Sequence, residues 1–440
     1  MVEMVVSAAV LGIVVVAVIN LFVSNLQTVT FGKARAMGLA VANQQLEYLR
    51  DLPYDSLATQ TGTIYPPGNI PDTQTIVSAN YRFIVKTKIV YVDDPYDGNA
   101  AGTIAGKPQD LYPYDYKRVE ITVLLANNNS QVAKLTTDVA AKAAETASNT
   151  GILSIKVINS SGQPVPNATV HIVNIVPNPD VDITTTTDNT GSVVIPGLPP
   201  DSNKNYQVTA SLTGYSTDYT SADPVGSQTP VNPNANILVQ QITNVTLSID
   251  AISTMNLHVV DTDGNTLANQ NITITSSKKT LTNPDAYKYK QALTTDASGN
   301  ITITNLEWGS YTLSVPSGTY IVTSAPYNPL TVTAGNNSSA IITLTNSSSY
   351  PTISSATPAS DQTGTNPADN TITGTNLSGA TIKLSKSGSP DITPTGSTTT
   401  TSTSVFANFD LTGAVTGPWD IVITKSGKTI VQTGAYNVTP

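Results

Sequence analysis

The chain has 440 residues, with 30 Asp and Glu against 21 Lys and Arg, a formal net charge of −9 and no cysteine. That balance disfavours nucleic-acid phosphate as a partner, and the missing cysteine excludes disulfides, a thiolate nucleophile and any Cys-ligated metal. Only 12% of residues are charged, with Thr, Ser, Asn and Gly in their place, as on extracellular β-domains; the length suits three or four domains.

Residues Met1 to Val23 form one apolar run in which Glu3 is the sole ionisable side chain. About 20 apolar residues rising ~1.5 Å each cover the hydrocarbon of a bilayer. A secretory signal peptide would begin with basic residues and carry a shorter apolar core, yet no Lys or Arg precedes Lys33. A plain membrane anchor would omit the glutamate, because a carboxylate in such a run is costly. The helical pattern continues to Asp51-Leu52-Pro53. Leu39, Ala42, Leu46 and Leu49 recur on one apolar face, which is expected to pack on a sheet. Gly12, Asn20, Ser24, Asn25, Gly32 and Gly38 are weak helix formers inside this pattern.

An apolar first half, one early glutamate and an amphipathic second half closed by Pro53 resembles the N-terminal helix of type IV pilins. In that family a prepilin peptidase removes a basic leader. The α-amine so exposed, which is methylated in that family, then pairs with the glutamate of a neighbouring subunit. Burying both charges together costs less than burying either alone. The resemblance implies that Met1, Glu3, Gly12, Leu39, Leu46 and Leu49 serve assembly, and that Gly12 to Asn25 is the stretch that melts on entry into a filament. Glu3 lies closer to the start than the glutamate of that family does.

Beyond Pro53 come three β-rich runs: Tyr81 to Val90, Asp115 to Val123, and Ala133 to Val139. The run Asp115-Tyr-Lys-Arg-Val-Glu-Ile-Thr-Val123 also resembles the central strand of pilins and pseudopilins. Asp93, Asp94 and Asp97, with Asn99, form a weak candidate for Ca²⁺. The plainer reading is an acidic turn punctuated by Pro95 and Gly98.

Ala140 to Asn149 reads as a linker, and an internal repeat follows it. The stretch from Ile152 through Gly162 and Asn167 matches that from Met255 through Gly264 and Asn269. A second hairpin around Gly191 matches one around Gly299, and each copy then reaches a tyrosine strand, at Tyr206 and Tyr311. The pair resembles the carboxypeptidase regulatory-like, prealbumin-type sandwich. A cousin of that fold forms Lys–Asn or Lys–Asp isopeptides, but Lys156 is out of step with the pattern and no glutamate lies between Gly151 and Asp250. Thr371-Ile-Thr-Gly374-Thr-Asn376-Leu377 and Pro418-Trp419-Asp-Ile-Val-Ile resemble the immunoglobulin-like fold of plexins and bacterial surface proteins. The Ser397–Ser404 tract reads as an exposed loop.

The expected fold is therefore an α+β pilin domain, a long N-terminal helix packed on an antiparallel sheet, followed by three all-β Ig-like or prealbumin-like sandwiches. The expected divisions are 1–52 helix (1–23 its membrane or filament-core half), 53–146 head, 147–151 linker, 152–250 and 251–347 the two repeats, and 348–440 the Ig-like unit. The expected function is that of a structural type IV pilus subunit, supporting adhesion and twitching motility, displayed outside the cell and membrane-anchored beforehand. The alternatives are a minor tip-located adhesive pilin or a secretion-system pseudopilin. Partners implied are copies of itself, the prepilin peptidase, the pilus assembly machinery, the inner membrane before assembly, and a host or cell-surface ligand through 152–440. No catalytic constellation, cofactor or nucleic-acid site is expected; His171 and His258 fall on different repeats.

Overall fold

The computed structural model describes residues 2–100, 102–110, 113–141, 149–346 and 350–440, and within the first helix every side chain but that of Val5. Helix α1 runs unbroken from Val2 to Arg50, so it is about 70 Å long. Gly12 to Asn25 is helical here, with open space around the Gly12 Cα.

The second half of α1 lies on a four-stranded antiparallel sheet in the order β1 (Thr73–Ser78), β2 (Tyr81–Val92), β3 (Tyr116–Leu125), β4 (Gln131–Ala140). Alternate residues of β3, from Lys117 through Val119, Ile121, Val123 and Leu125, are buried beneath the helix, as the two-residue period of a one-sided sheet requires. Ala34, Val41, Ala42 and Leu49 share that core with Phe83, Val85 and Ile121, and Leu46 packs against its edge. Leu39, expected in this stripe, is 44% exposed. Gly38 takes the contact instead: a Cβ there would sit 2.5 Å from Val132 Cγ2. The bare glycine lets the helix axis approach β4, and that rotates Leu39 off the sheet.

Three sandwich-like β-units follow, each a pair of sheets around one core. In the first, Ile242–Ser248, Gly151–Ile158 and Ser192–Leu198 face a sheet built on Asp201–Ser211 and Thr169–Asn174, enclosing Leu153, Ile155, Ile172, Tyr206 and Val208. In the second, a sheet holding Ser253–Val260 and Asn337–Thr345 faces one holding Asn271–Ser276 and Gly309–Ser314. In both units the first strand runs parallel to the last. Of the linker expected at 147–151, residues 147 and 148 lie outside the described residues, and Gly151 already opens a strand.

The repeated turns are held by equivalent contacts. Asp188 Oδ1 accepts from the Thr190 and Ser192 amides, and Asp296 Oδ1 from those of Ser298 and Asn300. Gly191 (φ +71°) and Gly299 (φ +73°) each press on a strand carbonyl, 2.6 Å from Val157 O and 2.8 Å from Val259 O for an added Cβ. Only glycine meets both demands. In the third unit, sheets built on Ala368–Thr375 with Ser404–Phe409 and on Gly417–Lys425 with Lys428–Thr439 enclose Trp419, Phe409 and Tyr436. The Ser397–Ser404 tract is not all loop: Thr399–Thr400 pairs with Ser404–Phe409 at Phe406 and Val405.

Candidate assembly surface and acidic cluster

Every described side chain from Val2 to Lys33 is exposed, among them Val2 (77%), Ile13 (71%) and Phe22 (64%). This half of α1 is long and apolar enough to cross a membrane. Two of its hydroxyls bond back to the helix: Thr28 Oγ1 donates to Ser24 O at 3.0 Å and Thr30 Oγ1 to Leu26 O at 2.8 Å. Such back-bonds satisfy hydroxyls where no water is at hand. Glu3 stands in the first turn of the helix, where the macrodipole favours a negative charge. Met1, its expected partner in a neighbouring copy, lies outside the described residues. Thus Glu3 and Gly12 fall on the free half, Leu46 and Leu49 on the sheet-bound half, and Leu39 on the outer face of the latter.

The loop between β2 and β3 gathers carboxylates that sequence spacing did not join. Carboxylate oxygens of Asp97, Asp110 and Asp115 lie within 4.8 Å of one another. Of the expected trio only Asp97 is in this group. Asp94 is spent on a turn, its Oδ1 accepting from Tyr96 N at 3.0 Å while its own amide donates to Asp115 Oδ2. Asp93 Oδ2 accepts from Ala100 N at 2.9 Å. Burial pushes the Asp93 carboxyl above the usual range; the Ala100 hydrogen bond opposes this, and the charges of Asp110, Asp115 and Asp97 add to it. Three carboxylates of this kind are donors for a hard divalent cation such as Ca²⁺, which takes six to eight oxygens in all. Asp110 and Asp115 were hidden from sequence reading because the loop, not local periodicity, brings them to Asp97.

Beside this loop, Lys117 is only 2% exposed. Its Nζ donates to Tyr54 O at 2.9 Å and lies 4.6 Å and 5.3 Å from the ring centroids of Tyr54 and Tyr91. Burial pulls the ammonium down to about 8, with the Asp55 charge opposing. Elsewhere, Lys156 is exposed on its strand. His171 pairs with Asp182 at 2.8 Å, and His258 Nδ1 with Asn300 Oδ1 at 2.8 Å. Asp261 accepts from the Asp263 and Asn265 amides in a hairpin turn.

Residues 152–250 match the model of the carboxypeptidase regulatory-like domain, and residues 253–348 that of the prealbumin-like fold domain. No curated protein matches the chain. Among solved structures it is similar to the Bacillus anthracis TIE protein (13% identity, 88% of this chain, 72% of that one, TM-score 0.20). It is also similar to the shaft pilin SpaA from Lactobacillus rhamnosus GG (13% identity, 44% and 98%, TM-score 0.17). A third is a streptococcal ancillary pilin (12% identity, 51% and 75%, TM-score 0.21).

Proposed function

We propose that this chain is a structural subunit of a type IV pilus filament, with the free half of α1 bundled among copies of itself and the three β-units displayed outside. One observation carries the reading: a single unbroken helix is sewn to its own sheet from Ala34 onward, while before Ala34 every described side chain is exposed and the Tyr81 hydroxyl reaches back as far as Thr30 O. A soluble protein does not leave about 30 residues of apolar helix in water, since burial is favourable at ~25 cal/mol per Å². Lipid covers that surface before assembly and neighbouring helices cover it afterwards. Prepilin peptidase and the assembly machinery are the partners this route requires. Contact with a host or cell surface falls to 152–440, which is poor in charge and rich in Thr, Ser and Asn. A minor tip-located adhesive pilin or a secretion pseudopilin would share the helix; copy number along the filament separates both from a major subunit.

Glu3 provides the test. In the proposed docking step its carboxylate attracts a neighbour's α-amine through a low-dielectric medium, where an opposite charge counts for more than in water. Glu3→Ala should leave membrane levels of the chain unchanged while reducing filament number at least tenfold by electron microscopy, an effect of about 1.4 kcal/mol or more on docking. Parental filament numbers in the Glu3→Ala strain would refute the role given to Glu3.

A further inference from the structure

Residues 249–252 join the first β-unit to the second, and none of their amides is idle. Ile249 N donates to Ile158 O at 3.0 Å, Asp250 N to Ser216 Oγ at 3.3 Å, Ala251 N to the Asp250 carboxylate at 2.7 Å, and Ile252 N to Gly214 O at 3.0 Å. A second tie runs alongside. Thr229–Pro230, a strand from the first unit, pairs antiparallel with Lys279–Thr282 of the second. Val231 N donates to Thr280 O at 3.0 Å, and Gln228 Nε2 to Pro284 O at 2.6 Å.

The third tie is a chain of charges across the same joint. Lys288 Nζ lies 2.8 Å from Asp218 Oδ1 and 3.2 Å from Glu307 Oε1, and Lys278 Nζ lies 2.8 Å from Glu307 Oε2. The side chains of Asp218, Lys288 and Glu307 are 7%, 18% and 14% exposed. Asp218 Oδ2 also accepts from Ser248 N at 2.9 Å, so the chain of charges ends on the strand that feeds the joint. At the next joint the second unit enters the core of the third: Val322 is a member of that core and Tyr327 packs on it. Gln432 Nε2 donates to Ser324 Oγ at 3.3 Å, with both residues buried. Between head and first unit, by contrast, Tyr65 OH donates to Pro179 O at 2.7 Å beside an open groove of about 550 Å³.

We propose that residues 151–440 work as one stiff strut, clamped at its first joint by the Asp218–Lys288–Glu307–Lys278 chain and the 229–230 strand pairing. A pull on the outermost unit is then passed to the head and not absorbed by bending between units. Unclamped domains on a short linker move relative to one another by default. Buried ion pairs resist salt screening, and loss of one partner strands the other's charge in a dry site. The strut stands or falls independently of the filament reading.

Because the chain has no cysteine, Asn189→Cys with Ser387→Cys places two spin labels uniquely, both at exposed positions in the first and third units. In the full-length chain in detergent, double electron–electron resonance should give one narrow distance peak whose width is unchanged by added salt. Lys288→Met, which leaves Asp218 and Glu307 without their shared cation, should broaden that peak about twofold. Val231→Pro removes only the amide bonded to Thr280, at an exposed position, and should broaden it less. A broad peak in the parent overturns the proposal, as does a Lys288→Met/Val231→Pro chain as narrow as the parent. Should Lys288→Met unfold the second unit in thermal melts, Val231→Pro alone decides by the same criterion.

Discussion

Lys117 shows how one buried charge sets a pH dependence. Its folded-state value is about 8 against 10.5 for a free lysine, so between those limits the unfolded chain binds more protons than the folded one. Stability of the head therefore rises with pH across that window, by about 3 kcal/mol. Tyr54, pushed up to about 12 by burial, acts in the opposite sense. Above pH 10 the unfolded tyrosine ionises and the folded one does not, so stability falls again. Thermal melts should show the head transition climbing from pH 8 to pH 10, and Lys117→Met should flatten that climb. Equal slopes in the two proteins would contradict this account of Lys117. Nothing in Asp-Tyr-Lys-Arg marked this lysine as buried; strand alternation places it inward, but a charge at that position is ordinarily read as facing out.

At the level of elements, the helix contact depends on Gly38. Gly38→Val should force α1 and Val132 apart and cost about 1–3 kcal/mol of head stability. Gly32→Ala, with nothing within 4 Å of its added Cβ, should stabilise the helix by up to ~1 kcal/mol. Denaturant midpoints check both, and equal effects at the two glycines would rule out the close approach. The existence of the helix, three of the four head strands and the paired turns at Gly191 and Gly299 was legible in the sequence, because each follows from local period or turn chemistry. The orientation of the helix was not. A 3.6-residue period allows two adjacent stripes, and choosing Leu39 over Gly38 favoured residue size where shape decided. The strand at Thr229–Pro230 was equally hidden, since its partner lies in another unit. The cluster of Asp97 with Asp110 and Asp115 needed the loop's closure to appear.

For the molecule as a whole, two surfaces of opposite character meet in one chain. One end is an apolar helix with no cover of its own, and the other is a set of weakly charged β-units joined by dense contacts. The central claim is that copies of the first surface cover one another. Cryo-electron microscopy of filaments sheared from cells tests it most directly. The account predicts a central bundle of helices from residues 2–33, the head sheets around it and residues 151–440 outermost. A shaft built of β-units end to end, with the helix absent from its core, would contradict it.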